Sequence, residues 1–292
     1  RLLMQRCRSL LFVPADSDRK IEKSATSGAD IVIYDLEDAV LPEQRDAARH
    51  RVVSALSSPT LGDYQRCVRI NPINTVEARA DLEAIMPAAP ALIMLPKIRS
   101  AADINILAIA LKELESRCGL VDGSTRIIAL MTETASMTLA LPTLENIDPR
   151  VIAMTWGGED LSAALGAMTN KDSDGHWTFT YQLARTQCLL AARSAGVMAI
   201  DTLFSDFRNS DGLTEHTYQA RRDGFDGVLA IHPAQVEIIN AGFIPSDAEI
   251  RHAQQVVDAF SQQPGAGAVQ LDGVMLDRPH LTQAERILAR AN

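Results

Sequence analysis

Cysteine is scarce and unorganised in this 292-residue chain: Cys7, Cys67, Cys118 and Cys188 are scattered, with no C-x-x-C and no Cys/His pairing. That pattern excludes a zinc site and a disulfide framework and leaves reduced core thiols. Long apolar runs are missing too, since none approaches the roughly 18 residues of a membrane span. Basic runs and aromatic–basic stripes are absent, and 28 Lys+Arg against 37 Asp+Glu give a formal charge of -9. Nucleic acid is therefore a poor partner, and an anionic ligand must be met by local arginines against a mildly repulsive field. The start, RLLMQRCRSLLFVP, has Arg6 and Arg8 interrupting its apolar residues and reads as a poor signal peptide. The cytoplasm is the expected compartment, with no membrane partner.

What is present is a rhythm. Short apolar runs alternate with longer helical stretches: SLLFV, DIVIY, RCVRIN, ALIMLP, RIIALM, VIAMTW, GVMAID and GVLAIH. Each run is nearly continuous in aliphatic residues, as expected of parallel strands covered on both faces. The segments between them, such as EQRDAARHRVVSAL and ADINILAIALKELESR, carry apolar residues at three- and four-residue spacing. Strand–helix alternation repeated eight times predicts a (β/α)8 TIM barrel over residues 1–261. A doubly wound open sheet is the competing architecture, but it usually carries a glycine-rich first turn, and FVPADSDR has none. After the helix IRHAQQVVDAF comes the break QPGAG, a hairpin AVQLDGVML around Asp272-Gly273, and a closing helix LTQAERILARA. Residues 262–292 are thus expected to form a C-terminal lid outside the barrel, over its own mouth or a neighbour's.

Chemistry collects where the runs stop. Asp35, Glu37 and Asp38 follow DIVIY; Arg69 and Asn71 lie in RCVRIN; Lys97 follows ALIMLP; Glu133 follows RIIALM; Glu159 and Asp160 follow VIAMTW; Asp201 and His232 end the last two. The carboxyl ends of barrel strands are where such folds build active sites. Carboxylates crowded there repel one another unless a cation offsets them, and a hard divalent ion such as Mg2+ prefers oxygen ligands. There are too many acids for one Mg2+ to take directly, so some must orient bound water or accept from arginine. Asp160 has a helix N-cap as its alternative, Asp38 has a cap for the helix after Pro42, and Glu133 has a solvated rim position. Arg69 needs anionic partners, either these acids or a substrate carboxylate held bidentately. Lys97, among so many acids, should stay charged, which disfavours a Schiff base and leaves it a candidate substrate contact. His232 before Pro233 reads as a packed or capping residue, and Asp201 as a site or a turn residue.

These residues resemble the citrate lyase β-subunit-like branch of the HpcH/HpaI aldolase superfamily, which includes malyl-CoA and citramalyl-CoA lyases. The matching segments include RSLLFVPADSDRKIEKSATSGADIVIYDLEDAV, VRINP, LPK, TETASM, TWGGEDLSAALG and the tail DGVMLDRPHL, in order from Ser9 to Leu281. The resemblance implies a barrel that binds Mg2+ through Glu133 and Asp160, with Glu37 and Asp38 holding metal-bound water and Arg69 gripping the carboxylate of a 2-oxo acid. It implies an essential acid in the M-x-D-x-P context of a neighbouring subunit's lid, which falls on Asp277. Phe12, Arg19 and Lys23 fall in the segment that resembles a coenzyme A contact. A lid acting between chains requires a homo-oligomer, and the resemblance implies a trimer or a multiple of it.

The expected reaction is a Mg2+-dependent retro-Claisen cleavage of a 3-hydroxyacyl-CoA to acetyl-CoA and pyruvate or glyoxylate, with Asp277 protonating the enolate carbon. The alternatives are a citrate lyase β-subunit acting on a citryl-acyl carrier protein, and a malyl-CoA thioesterase. Malyl, methylmalyl and citramalyl substrates differ by a methyl group, which pocket shape rather than a motif decides.

Overall fold

Residues 7–59 and 64–291 are described by the structure, a computed structural model. The stretch through Arg6, part of the signal-peptide reading, lies outside them. Eight strands run in the predicted places: β1 (Ser9–Pro14), β2 (Ile31–Asp35), β3 (Gln65–Arg69), β4 (Leu92–Leu95), β5 (Arg126–Leu130), β6 (Val151–Thr155), β7 (Met198–Asp201) and β8 (Gly227–Ala230). They pair in parallel and in sequence order, and β8 returns to β1 through Ser9 opposite Val228 to close the barrel. The helices are α1 (Asp18–Ser24), α2 (Arg45–Ser57), α3 (Val76–Ile85), α4 (Ala101–Cys118), α5 (Ala135–Ala140), α6 (Gly158–Leu165), α7 (Phe179–Ser194), α8 (Ser210–Asp223), α9 (Val236–Gly242), α10 (Asp247–Gln262) and α11 (Arg278–Ala291).

The strands are apolar on both faces because both are covered. Leu10, Ile33, Cys67, Met94, Ile128 and Ile200 belong to one buried cluster. Their strand neighbours Leu11, Val32, Val68, Ile93 and Ile127 point the other way and are equally buried. Cys7, Cys67 and Cys188 are buried free thiols and Cys118 is half-buried, as the absence of any cysteine pattern predicts. Closure of the barrel depends on one glycine. A Cβ on Gly227 would lie 1.8 Å from the Cys7 carbonyl oxygen, so no larger residue fits where β8 meets the approach to β1. Helix starts follow local chemistry: the Thr75 hydroxyl accepts from the Ala78 N–H, and Thr134 does the same for Met137. Among the described residues no helix is long and apolar enough to cross a membrane.

The chain divides into two compact units, Arg1–Ile239 and Asn240–Asn292. The second unit has a core of its own, in which Ala253, Val256 and Phe260 of α10 meet Val269, Leu276 and Ala284. That packing places α10 with the tail, so the division falls ahead of the expected 261/262 break. The hairpin forms as predicted from β9 (Ala268–Leu271) and β10 (Val274–Asp277). Asp272 at φ 49° and Gly273 at φ 81° supply the two left-handed residues that its turn requires.

Candidate active site

At the carboxyl ends of the strands the barrel register builds a charged cluster. Asp35 stands directly opposite Arg69 across the β2–β3 pair. The two side chains meet in a bidentate ion pair, with Nε 2.8 Å from Oδ1 and Nη2 2.7 Å from Oδ2. Both residues are buried, and the guanidinium also lies over the Phe12 ring, 4.9 Å from its centroid. Planar pairing on one side and ring stacking on the other leave Arg69 one orientation. Asp35 Oδ1 accepts the Glu37 N–H at 3.0 Å as well, bending the chain after β2 so that Glu37 returns toward Arg69. Asp35 therefore holds the arginine, a role the sequence left open.

Lys97 joins the two halves of the cluster. It follows Pro96 with a left-handed backbone, φ 49°, which is strained for a residue with a side chain. In that conformation its N–H donates to Glu133 Oε2 at 2.5 Å, while its ammonium donates to Glu37 Oε1 and, at 2.8 Å, to Asp38 Oδ1. Asp160 Oδ1 lies 3.6 Å from the same nitrogen. Burial opposes the ammonium charge, but Asp38 and Glu37 outweigh it and raise the pKa of Lys97, which keeps it charged.

Glu133 is buried, not a solvated rim residue. Two glycines make room for it and for the start of α6. A Cβ on Gly157 would come 3.3 Å from Glu133 Cγ, and one on Gly158 would come 2.7 Å from the Trp177 ring. Gly157 is the N-cap of α6, so Asp160 is not the cap that the sequence allowed; it sits in the first turn, where the helix dipole favours a negative charge. Asp38 caps nothing either, because Leu41 and Gln44 hold the cap positions of the two helical segments after it.

The acids carry more charge than the described cations neutralise. Burial, with the neighbouring Asp160 and Glu37 charges, pushes Glu133 well above the usual carboxyl range. Burial lifts Glu37 to about 7 in spite of Arg69 and Lys97. Asp38 is also raised by burial, but Lys97 and Arg69 more than reverse this and hold it below its ordinary value. Glu37 Oε2 is buried without a hydrogen-bond partner; Arg69 Nη1 is 3.0 Å away, close enough for attraction but not aligned to donate. A buried carboxylate oxygen without a donor, beside a raised buried carboxyl, is a place that favours a cation. The candidate donors are all oxygens, the set a hard ion such as Mg2+ takes, so the residues present fit it.

The acids open onto a cavity of ≈ 290 Å³. Its lining is polar at Asp35, Asp38, Arg69, Glu133, Glu159 and Asp160, and apolar at Phe12, Leu130, Trp156, Leu203, Leu229 and Ile231. This is the size and polarity of a pocket for a small organic acid. Apart from Phe12, the apolar lining escaped the sequence reading, since a leucine at a strand end carries no chemical signature. Trp156 is held by Asp201, which accepts its indole N–H at 2.6 Å and pairs with Arg185 at 2.6 Å, so Asp201 supports the wall instead of reaching the site. His232 caps the turn at Pro233–Gln235 and stacks on Phe207 at 4.7 Å, as its position before a proline suggests. Arg19 and Lys23 are exposed on α1 and do not line this cavity. Asp277 belongs to the C-terminal unit. Ligand atoms of Asp172, Asp174 and His176 also lie within 4.8 Å of one another, but all three are exposed. The Asp172 carboxylate there accepts the Asp174 and His176 N–H groups, so that loop holds its shape without an ion.

The Asp35–Arg69 pair yields a direct prediction. Asp35→Asn removes the charge and half of the fork, freeing Arg69 to turn. The KM for substrate should rise about 10-fold or more, and the fold should lose about 3–5 kcal/mol from a broken buried pair. Thermal melting and steady-state kinetics on the variant check both. An unchanged KM would show that Arg69 does not depend on this clamp.

A closed parallel barrel with a cation-demanding acid cluster and a fixed arginine at its strand ends defines an enzyme of the barrel class. The chain belongs to the HpcH/HpaI aldolase/citrate lyase family, which it matches over residues 8–233. That membership makes it an enzyme of the aldolase and lyase kind. It is 35% identical to a (3S)-malyl-CoA thioesterase of Cereibacter sphaeroides, over 97% of this chain and 94% of the relative. It is 33% identical to a mitochondrial citramalyl-CoA lyase of Rattus norvegicus, over 97% and 86%. Its structure is similar to that of CitE from Mycobacterium tuberculosis in complex with magnesium, acetoacetate and coenzyme A. The TM-score is 0.83, at 35% identity, with 99% of each chain covered.

Proposed function

We propose that this protein is a Mg2+-dependent lyase that cleaves a 3-hydroxyacyl-CoA carrying a carboxylate on its carbinol carbon. The products are acetyl-CoA and a 2-oxo acid, and citramalyl-CoA or malyl-CoA is the substrate type. The observation that carries this reading is the uncompensated acid cluster, with a clamped arginine inside it, lining one small cavity. Glu133 and Asp160 are the proposed Mg2+ holders, with Glu37 and Asp38 as acceptors for its waters. Mg2+ bound there supplies Lewis-acid stabilisation of negative charge on substrate oxygens.

The chain's own residues do the rest. Arg69, unable to rotate, pairs with the substrate carboxylate and turns affinity into orientation. Lys97 keeps a positive charge beside Glu37 and Asp38 and is a proposed substrate contact. Leu130, Leu203, Leu229 and Trp156 keep water away from the acetyl carbon, which carries an enolate's electron pair once the carbon–carbon bond breaks. Asp277 is the proposed acid that protonates this carbon, reaching it from the C-terminal unit of a neighbouring copy. Phe12, Arg19 and Lys23 are the proposed coenzyme A contacts. A homotrimer, or a multiple of one, in the cytoplasm is the proposed working state.

The thioesterase relative supports a second reading, in which the same barrel directs water onto malyl-CoA. Incubation with citramalyl-CoA and with malyl-CoA in the presence of Mg2+ separates the two. Acetyl-CoA with pyruvate or glyoxylate supports the lyase, and free coenzyme A with an intact hydroxy diacid supports the thioesterase. Inactivity on both, with cleavage of a citryl-acyl carrier protein, would replace the first reading by a citrate lyase β-subunit.

A further inference from the structure

Asp277 closes β10 and immediately precedes α11. A carboxylate in that position ordinarily accepts a backbone N–H from the first turn of the helix. Here it turns to a side chain: His280 Nδ1 lies 2.5 Å from Asp277 Oδ1. The same Nδ1 is 3.1 Å from the Asp277 backbone nitrogen. Helix capping would use a bare Nδ1 to accept from the Asp277 N–H, a role that excludes donation from the same nitrogen to Oδ1. At 2.5 Å a bare imidazole nitrogen and a carboxylate oxygen would repel, so a proton lies between them. Both side chains remain about half exposed, at 55% for Asp277 and 48% for His280, and so accessible to a reacting partner.

We infer that His280 is a positioning residue for the acid–base work of Asp277: its Nδ1–H holds Oδ1 and leaves Oδ2 as the oxygen that carries the transferred proton. This rests on the reading of Asp277 as the acid. In the cleavage direction the Oδ2–H bond breaks and a carbon–hydrogen bond forms from the enolate electron pair. The carboxylate left behind keeps the Nδ1–H bond at Oδ1 while it is negative, and water returns a proton to Oδ2. In the condensation direction Oδ2 takes the proton from the acetyl methyl group under the same restraint. His280 itself neither gains nor loses a proton, so its contribution is orientation and stabilisation of the carboxylate.

His280→Ala and His280→Asn test this, with citramalyl-CoA and malyl-CoA as probes and turnover measured in H2O and in D2O. His280→Ala should lower kcat about 10- to 100-fold, a part of what general acid–base catalysis supplies, with KM unchanged. Its solvent isotope effect should rise as carbon protonation becomes limiting. His280→Asn, which can still donate to Oδ1 from its amide, should recover most of kcat and a near-native isotope effect. A helix-capping role alone would change the melting temperature of both variants without moving the isotope effect. Wild-type kcat and isotope effect in His280→Ala, with Asp277→Asn inactive, would overturn the positioning role and leave the acid assignment standing. Normal turnover in Asp277→Asn would overturn both.

Discussion

Glu133→Gln should abolish metal-dependent turnover, cutting kcat/KM about 1000-fold or more, because it removes a proposed charged Mg2+ ligand from the site where negative charge would develop. The same change should make the metal-free protein more stable, not less. Glu133 is buried and its carboxyl is pushed well above the usual range by burial and by Asp160 and Glu37, so ionising it costs the fold free energy. Glu37, lifted to about 7, behaves alike. A carboxyl whose folded pKa lies above its unfolded value binds more protons when folded. Stability of the metal-free protein should therefore fall as pH rises above about 4.5, with the Glu37 share of the loss complete once pH has passed about 7. Mg2+ should reverse the loss at pH 8, and its affinity should grow with pH across the same window, since binding displaces protons. Calorimetric titration with Mg2+ and melting curves at pH 5 and pH 8 check each part. Glu133→Gln should show no Mg2+ heat and a shallower pH dependence. Native Mg2+ affinity in this variant would remove Glu133 from the ligand set.

The second large effect is expected at Asp277. Asp277→Asn keeps size and polarity but cannot donate a carboxylic proton. Turnover should fall about 100- to 10,000-fold, the usual range for a lost general acid–base. Mg2+ binding and pyruvate or glyoxylate binding should persist, because their proposed residues all lie in the barrel unit. That separation makes the variant informative. A loss of ligand binding would point to misfolding, and retained turnover would move the acid elsewhere. The C-terminal unit has its own core around Val256, Phe260 and Leu276, so one exposed substitution on its surface should not unfold it.

Much of the fold and the site is legible in the residues alone. Eight buried parallel strands write themselves as continuous aliphatic runs, and the runs end on the residues that sit at the barrel mouth, from Asp35 to Glu133. What the sequence could not give was direction. It gave Asp35 the weakest claim of the three acids after DIVIY, with support of Arg69 or of the rim as its use, and only the register opposite Arg69 fixes it as the arginine's clamp. Asp160 reads as a possible cap because DLSAALG looks like a helix start; the helix begins earlier, on the glycine pair. The short helix α1 does not read as a helix because DRKIEKS has one apolar residue, too few for a period. The apolar wall of Leu203, Leu229 and Trp156 is silent for a different reason: those residues are indistinguishable from core until the cavity beside them is seen. The unit boundary falls earlier than expected because the apolar stripe of α10 is visible in sequence but its partners on the hairpin and α11 are not.

The central claim is that the acid cluster and Arg69 serve carbon–carbon cleavage through an enolate that is protonated on carbon. The most direct measurement is a single turnover of citramalyl-CoA and of malyl-CoA with Mg2+ in D2O, with the products read by mass spectrometry. The account predicts acetyl-CoA carrying one deuterium in its methyl group, together with pyruvate or glyoxylate, and no product without Mg2+. Free coenzyme A with an undeuterated, intact hydroxy diacid would contradict it.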